Sequence, residues 1–320
     1  MITETSTAVE EAWPALPLAE WKGTCATLHM WSQIVGKVRL ELSPLMNHWW
    51  EVPFYLTARG LTTSPIPYGT GVFEMRFDFI DHRLNIETSW GENASIHLVP
   101  RSVAAFYHEF MNTLRSLGIE VQIWPMPVEV PNPIRFDQDE IHGSYDADHV
   151  HAFWRVLITA DTILKEFRAR FIGKDSPVHF FWGSFDLAVS RFSGRDAPER
   201  QGVDRVTREA YSHEVSSAGF WPGSGEVKDP AFYSYTLPEP AGFRDQPICP
   251  GKAFYHPRLH EFILMYDDLR ASESPKEDLL EFLQTTYEAG ATLGNWNRAP
   301  LERSAETVIT PGYATHCLLR

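Results

Sequence analysis

The chain has 320 residues, of which 43% are hydrophobic, so it can bury one large core or two ordinary ones. It carries 28 Lys and Arg against 42 Asp and Glu, a net charge of −14, and it has no basic run, which argues against nucleic acid as a partner. Because no apolar run approaches the roughly 18 to 20 residues of a membrane helix and the polar start MITETSTAVEEAW lacks the features of a signal peptide, we expect a cytoplasmic protein with no membrane partner.

The first part of the chain predicts a helix, then a run of strands, then a second helix. Residues 20–43 place apolar side chains at helical spacing. The strand FYLTARG, the hairpin GVFEMRFDFID with RLNIETS, and the strand ASIHLV follow in that order. A helix from about Ser102 to Leu117 then ends at Gly118, a residue type that commonly ends helices.

A proline-rich segment separates this part from a similar order of elements. PMPVEVPNPIRF has four prolines in twelve residues and is typical of a linker. A helix from about Asp146 to Phe171 follows, and then the strand SPVHFFWGS. Further on, the strand EFILMYD precedes a helix that starts at Ser274 and Pro275 with the pattern of a capping box.

These elements predict an α+β fold of two tandem, related α-β-β-β-α halves. We place the N-terminal half at residues 13–130 and the C-terminal half at 141–300, each with a mainly antiparallel sheet covered by helices. Whether the two sheets are continuous is left open. We expect the tail 303–320 to be disordered. The three cysteines have no CxxC spacing, which favours reduced thiols.

The two halves differ in how polar residues are distributed along their strands. In the first half, apolar Phe73, Met75, Phe77 and Phe79 alternate with polar residues, as in a sheet with one dry face. In DLAVSRF of the second half, Asp186 falls on one face and Arg191 on the other. Since several buried polar groups can satisfy one another around a ligand, we predict a polar pocket in the C-terminal half.

Four ionisable residues of this half are candidates for proton transfer. Histidine and burial-shifted carboxylates suit acid-base chemistry at neutral pH. His213 and Glu214 are neighbours in the extended segment AYSHEVSSAGFWPG and therefore point in opposite directions. The candidate catalytic residues are His213, Asp186, Glu214 and His179.

The same half supplies candidate ligand-binding residues. Arg191 and Arg195 form the closest thing to a cationic cluster and are candidates for an anionic part of a ligand. Aromatic and hydroxyl groups nearby would form the walls of the pocket. They are Trp182, Trp221, Tyr233, Tyr235 and Ser184. The structural alternative is that Asp186 and Arg191 brace a hairpin turn, that Arg195 is solvated, and that His213 is a hydrogen-bonded core residue.

Two histidine pairs are weak candidates for a metal site. His149 and His151 lie near a helix start and point about 200° apart on a helix. His256 and His260 have the spacing of one helical face, but the neighbouring sequence is strand-like. Neither pair has evident additional ligands, so we assign no metal residues and leave the cofactor open.

Four long strings carry a resemblance to a known family. Together they resemble a bacterial family catalogued only as a domain of unknown function, over about residues 13–302. The resemblance implies a cytosolic bacterial protein and a single full-length unit, and it implies no activity, cofactor or catalytic residue. The strings are SPVHFFWGSFDLAVSRFSGR, AYSHEVSSAGFWPG, FYSYTLPEPAGF and NHWWEVPFYLTARGLTTSPIP.

Two classes of function fit the pocket. We favour an enzyme that acts by acid-base chemistry on a small polar or anionic molecule, with its reaction class open. The alternative is a binding or sensory protein that uses the same pocket without turnover. A metal-binding protein that uses His149 and His151, or His256 and His260, is a second alternative. The partner in each case is a small molecule or ion, and the oligomeric state is left open.

Overall fold

The computed structural model describes residues 12–303. Apart from Arg303, the tail predicted over 303–320 lies outside these residues. The predicted α+β class is confirmed, and no helix among the described residues is long and apolar enough to cross a membrane. The described helices are α1 (Leu18–Leu42), α2 (Val103–Ser116), α3 (Ala147–Ala169), α4 (Arg205–Ala210), α5 (Tyr266–Arg270) and α6 (Pro275–Leu293).

The first sheet has six strands and is antiparallel throughout. Its order is β1-β2-β4-β5-β6, and β3 pairs with the start of β4. Phe73, Met75 and Phe77 of β4 are buried, whereas the residues between them are partly exposed, so the predicted alternation is confirmed. The strands are β1 (Tyr55–Thr57), β2 (Gly60–Thr62), β3 (Ile66–Tyr68), β4 (Gly71–Asp78), β5 (Arg83–Thr88) and β6 (Asn93–His97).

The second sheet also has six antiparallel strands, in the order β11-β12-β10-β9-β8-β7. Each half therefore has six strands where the sequence predicted three. The two strand orders differ, and the structure does not show the predicted tandem duplication. The strands are β7 (His179–Phe181), β8 (Asp186–Asp196), β9 (His213–Trp221), β10 (Ala231–Leu237), β11 (Phe254–His256) and β12 (Glu261–Met265).

An antiparallel bridge joins the two sheets at their edges. Phe54, just before β1, donates its N–H to the carbonyl of Phe180 at 2.8 Å, and Phe180 donates back at 2.9 Å. Both side chains are fully buried in one hydrophobic core that extends from Trp13 to Trp296. The bridge links the outer strands β1 and β7 of the two sheets at one residue pair, and the shared core packs the two halves together.

The proline-rich segment predicted to be a linker is attached to α1. The amide nitrogen Nε2 of Gln33 donates to the carbonyl of Val128, and the N–H of Val128 donates back to Gln33 Oε1, both at 2.8 Å. Gln33 is fully buried, so this pair satisfies a buried amide that would otherwise be costly. The segment thus packs against the body of the protein beside the turn between β7 and β8.

The three predicted helix starts at Ser102, Asp146 and Ser274 are confirmed, and two of them are capped by a side chain. Ser102 accepts from the N–H of Ala105 at 3.1 Å, and Asp146 accepts from the N–H of His149 at 3.0 Å, so each side chain caps a helix. Ser274 precedes α6 without a side-chain hydrogen bond, so the expected capping box is not formed there. Pro275 still starts that helix, because its fixed φ suits the first helical position.

Helices α3 and α6 cover one face of the second sheet. Residues of this face that lie in the core are Phe180, Leu187, Val189, Phe220, Phe232, Phe262 and Leu264. We call it the helix-covered face. Strand alternation sends the intervening residues to the opposite side, and this side carries the polar residues described below.

Replacement of Phe180 by Ala tests the junction of the two sheets. Phe180 is fully buried, and we expect the change to lower the free energy of unfolding by about 3–5 kcal/mol through lost burial and a cavity. Phe254→Ala is the matched control, because Phe254 is 43% exposed on an edge strand and should cost under about 1 kcal/mol. Urea unfolding measures both, and equal losses would contradict the junction's importance.

Candidate functional site

The second sheet presents a polar face on the side away from α3 and α6. Strand register aligns Ala188 with Gly219, Gly219 with Tyr233, and Tyr233 with Ile263, so these positions lie across one face. Alternation then adds the residues two positions along each strand. We define the polar face by Asp186, Ala188, Ser190, Ser217, Gly219, Tyr233, Tyr235 and Glu261.

Small residues occupy the centre of the polar face. Ser190 Oγ donates to Ser217 Oγ at 3.0 Å, and Ala188 lies beside them on β8. A Cβ at Gly219 would lie 2.6 Å from the Tyr233 hydroxyl, too close for two unbonded atoms. The glycine therefore lets the Tyr233 side chain lie across β9 and reach toward β8.

Asp186 is the most closely held group of the polar face. The residue is 7% exposed, and its two carboxylate oxygens accept hydrogen bonds from the hydroxyls of Ser184 and Tyr233. Burial raises the pKa of Asp186, and the two hydroxyl donors oppose that rise by favouring the ionised form. The structure thus brings together three of the residues predicted from the sequence.

Two further carboxylates lie near Asp186. Burial and the charge of Asp186 raise the pKa of Glu261 to about 7. The same two causes, with a smaller effect of Asp204, raise the pKa of Glu129. Neither Glu261 nor Glu129 forms a side-chain hydrogen bond or ion pair with another residue of the described range 12–303. Nearby like charges disfavour the ionised form of each carboxyl, so Glu261 is partly protonated near neutral pH.

Three tyrosines flank these carboxylates. The hydroxyls of Tyr211 and Tyr235 lie 2.8 Å apart, and the rings of Tyr233 and Tyr235 are stacked with centroids 6.2 Å apart. All three side chains are partly exposed, as is Glu261, so solvent reaches the group. We call Asp186, Glu261, Glu129, Tyr211, Tyr233 and Tyr235 the acid-tyrosine cluster.

His179 faces the same side of the sheet but lies among aromatic rings. Its ring centroid is 5.4 Å from Trp50, 5.6 Å from Tyr55 and 5.3 Å from Phe181. The residue is 1% exposed, and neither ring nitrogen has a hydrogen-bond partner among the described residues. Burial lowers the pKa of His179 to about 3, so the ring is neutral at pH 7.

His213 lies at the far end of the β8–β9 pair from Asp186. Register pairs His213 with Asp196, whereas Asp186 begins the strand at the other end. The His213 ring contacts the edge of His48 with centroids 5.4 Å apart, and its Nδ1 lies 3.0 Å from Ser212 Oγ. The structure therefore does not bring His213 into the acid-tyrosine cluster.

Arg191 points to the helix-covered face, away from Asp186. Its guanidinium donates to the carbonyl of Phe167 and lies over three rings, 3.4 Å from Phe167, 4.5 Å from Tyr287 and 5.2 Å from Phe171. Only 1% of the residue is exposed, and burial lowers its pKa to about 9. The predicted convergence of Arg191 with Asp186 and His213 does not occur. Arg191 lies five positions after Asp186, and residues an odd number of positions apart on a strand point to opposite faces of the sheet.

Arg195 and Glu214 pair with each other at the end of α6. Arg195 Nε donates to Glu214 Oε2 at 2.8 Å, and its other nitrogens donate to the carbonyls of Gly294 and Asn295 at 2.5 and 3.1 Å. A cation that binds the carbonyls after a helix satisfies its unpaired acceptors. As expected, His213 and Glu214 point in opposite directions, and the structure ties Glu214 and Arg195 to α6.

The two candidate tryptophans, Trp182 and Trp221, lie in different parts of the structure. Trp182 is buried against α1, where Gly36 makes room for its ring, and its Nε1 donates to the carbonyl of Val52 at 2.8 Å. Trp221 is partly exposed and packs with Tyr233 and Ile263 on the polar face. Only Trp221 therefore borders the acid-tyrosine cluster.

The histidine pairs considered for a metal do not form a cluster. Within residues 12–303 no group of three or more His, Cys, Asp or Glu side chains is placed to hold a metal ion. His149 Nδ1 lies 3.1 Å from Asp146, and the His151 ring contacts Trp154. His256 accepts from the N–H of Leu259, and His260 lies 3.2 Å from Glu239.

Sequence reasoning missed three members of the acid-tyrosine cluster. Glu261 begins the strand EFILMYD, and the alternation of Glu261, Ile263 and Met265 would have placed it on one face. Tyr211 was assigned to an extended segment, but it follows the short helix α4. Glu129 lies in the proline-rich segment, where no local pattern indicates proximity to Asp186.

Replacement of Glu261 by Gln tests the raised pKa of this carboxylate. An acid whose pKa is 4.5 unfolded and about 7 folded destabilises the fold as the pH rises through this range. We therefore expect the Gln variant to be more stable than the original by about 1–3 kcal/mol at pH 8 and by much less at pH 5. Thermal unfolding at both pH values measures this, and a pH-independent difference would contradict it.

Replacement of His179 by Leu tests the buried neutral imidazole. A base whose pKa is 6.5 unfolded and about 3 folded contributes stability that is present above pH 6.5 and is lost as the pH falls. The Leu variant lacks this loss, so its gain in unfolding free energy should be larger at pH 5 than at pH 7.5 by about 2 kcal/mol. Denaturant titrations at both pH values measure this difference. An equal difference in unfolding free energy between variant and original at the two pH values would refute the assignment.

Comparison with known proteins gives one match. Residues 13–303 match a family of unknown function designated DUF5996, which covers nearly the whole chain and confirms the resemblance inferred from its long strings. No curated protein and no solved structure matches the chain. The protein is therefore a member of the DUF5996 family.

Proposed function

We propose that this protein is an enzyme that performs acid-base chemistry on a small polar molecule bound at the acid-tyrosine cluster. One observation carries the proposal. Two carboxylates on one partly exposed surface have different surroundings, since Asp186 accepts two hydroxyl hydrogen bonds while Glu261 has no hydrogen-bond partner among the described residues. A carboxyl group whose surroundings raise its pKa toward neutral pH, beside another that hydrogen-bond donors hold in place, is a common arrangement for proton transfer.

Glu261 is the group that exchanges a proton with the substrate. With a pKa of about 7, it is present in both forms at neutral pH, which is the condition for efficient general acid-base catalysis. Asp186 holds the Tyr233 hydroxyl in place beside it, because that hydroxyl donates to Asp186 Oδ2. Tyr233 therefore presents a fixed hydroxyl oxygen to a bound molecule.

The charges of the cluster favour an uncharged or cationic substrate. Asp186, Glu261 and Glu129 are acidic, and the arginines considered for an anion point elsewhere, Arg191 under the helices and Arg195 to the end of α6. An anion at the cluster would meet repulsion from these three carboxylates, which the single guanidinium of Arg200, 5.4 Å from the centre of the Tyr211 ring, offsets only in part. Tyrosine rings add attraction for a cation through their negative faces.

A binding protein without turnover is the second candidate. The stacked rings of Tyr233 and Tyr235, with the hydroxyl pair of Tyr211 and Tyr235 and with Trp221 beside them, favour it. Such walls suffice to bind a small amphipathic molecule without any proton transfer. It uses the same cluster, so one experiment separates the two candidates.

The experiment follows the fate of small metabolites that are incubated with the original protein or with matched variants. Purified protein is incubated with a cellular metabolite extract, and mass spectrometry follows what is consumed and what stays bound. We expect an uncharged or cationic metabolite to be converted by the original protein and by Glu87→Gln, an exposed control in the first sheet. Asp186→Asn and Glu261→Gln should slow the conversion by about 10²-fold or more.

Other outcomes decide against the enzyme. A metabolite that binds the protein unchanged, and is lost from Asp186→Asn, would leave the binding protein as the function. A metabolite converted equally by all four proteins would place the chemistry elsewhere. If no metabolite is converted or retained, neither candidate stands.

A further inference from the structure

A lysine and a histidine form a close pair at the end of the polar face opposite to Asp186. Lys174 Nζ lies 2.7 Å from His48 Nε2. His48 is 5% exposed and its ring contacts Phe192 of β8, with centroids 4.8 Å apart. Lys174 itself is exposed, so small molecules reach its amine from solvent.

Hydrogen bonding determines which ring nitrogen of His48 carries the hydrogen. Its Nδ1 lies 3.1 Å from the carbonyl oxygen of Ala210, and a carbonyl only accepts, so Nδ1 bears the hydrogen. Nε2 is then a lone-pair acceptor that faces the amine of Lys174. Burial, with smaller effects of Lys174 and His213, lowers the pKa of His48, so the imidazole is neutral at pH 7.

Lys174 has no acidic partner among the described residues. Its amine instead lies 5.1 Å from the centre of the Phe192 ring and 5.7 Å from that of Trp50. Other lysines form ion pairs, such as Lys252 with Asp268 at 2.7 Å. No ion pair among the described residues therefore stabilises the ammonium form of Lys174, and desolvation lowers its pKa.

The backbone that presents His48 is unusual. His48 and Trp49 are consecutive residues with φ of 60°, a left-handed conformation that non-glycine residues adopt only at a cost. The conformation directs His48 to Ala210, the last residue of α4, and to Lys174. Strain of this kind persists where surrounding contacts hold it, and it is concentrated at functional sites.

We propose that Lys174 Nζ is a nucleophilic amine that forms an imine with a small aldehyde or ketone, and that His48 Nε2 accepts its proton. The ammonium passes a proton to His48, and the nitrogen lone pair attacks the carbonyl carbon as the carbonyl π electrons move to the oxygen. A proton moves from the nitrogen to this alkoxide, which gives a neutral carbinolamine. His48 returns its proton to the hydroxyl oxygen, the carbon–oxygen bond breaks, and water leaves as the nitrogen lone pair forms the carbon–nitrogen double bond of a protonated imine. No oxidant or reductant takes part, and the proposal does not depend on the function of the acid-tyrosine cluster.

Reductive trapping tests the proposal on the full chain. The protein is treated with salicylaldehyde and sodium cyanoborohydride, which reduces the imine to a stable secondary amine, and peptide mass spectrometry locates the labels. We expect labelling at Lys174 to be at least about tenfold faster than at Lys252 or Lys276, whose amines are in ion pairs. Lys37 is buried between Trp124 and Trp182, so its labelling requires these rings to move.

The variant His48→Gln removes the proton acceptor. It should slow labelling at Lys174 by about tenfold and leave Lys252 unchanged. If this variant does not fold, the pH profile of the original protein replaces it. The measured quantity is the ratio of the labelling rate at Lys174 to that at Lys252. This ratio should fall toward one above about pH 10, because all lysines lose their protons there. Equal labelling of Lys174 and Lys252 in the original protein, or an unchanged rate at Lys174 in folded His48→Gln, would overturn the proposal.

Discussion

The candidate site depends on the buried carboxylate of Asp186, whose cost of burial is offset by hydrogen bonds from two hydroxyl groups. Asp186 is 7% exposed, and an isolated ionised carboxylate there would be strongly unfavourable. The hydroxyls of Ser184 and Tyr233 satisfy its two oxygens, and Tyr233 reaches it only because residue 219 is glycine. The charge of Asp186 then contributes to the raised pKa of Glu261. The hydrogen bond between Tyr233 and Asp186 therefore also affects the protonation of Glu261.

Strand alternation assigns the polar groups of β8 to two different environments. Asp186 faces tyrosines and other acids on the side away from the helices, while Arg191 faces the rings of Phe167 and Tyr287 beneath them. Each buried charge is stabilised separately, one by hydroxyl donors and one by aromatic rings and a carbonyl. The two charges, five residues apart in sequence, therefore do not act on a common ligand.

Local patterns predicted the fold better than they predicted the site. Helical spacing and capping residues located α1, α2 and α3 closely, and alternation in β4 identified the dry face. The bridge between Phe54 and Phe180 and the position of Glu129 depend on contacts between distant segments, which no local pattern contains. Alternation did separate the faces of β8, but an assumed convergence of its charges led to the incorrect grouping of Arg191 with Asp186.

A carboxyl carbon NMR titration of Asp186 and Glu261 tests the central claim most directly, because the chemical shift of each carboxyl reports its own protonation. We expect Glu261 to titrate near pH 7 and Asp186 to titrate above its ordinary value of 3.8. In Tyr233→Phe, which removes one donor to the carboxylate, the pKa of Asp186 should rise further. Titration of Glu261 near 4.5 and of Asp186 near 3.8 would contradict the account.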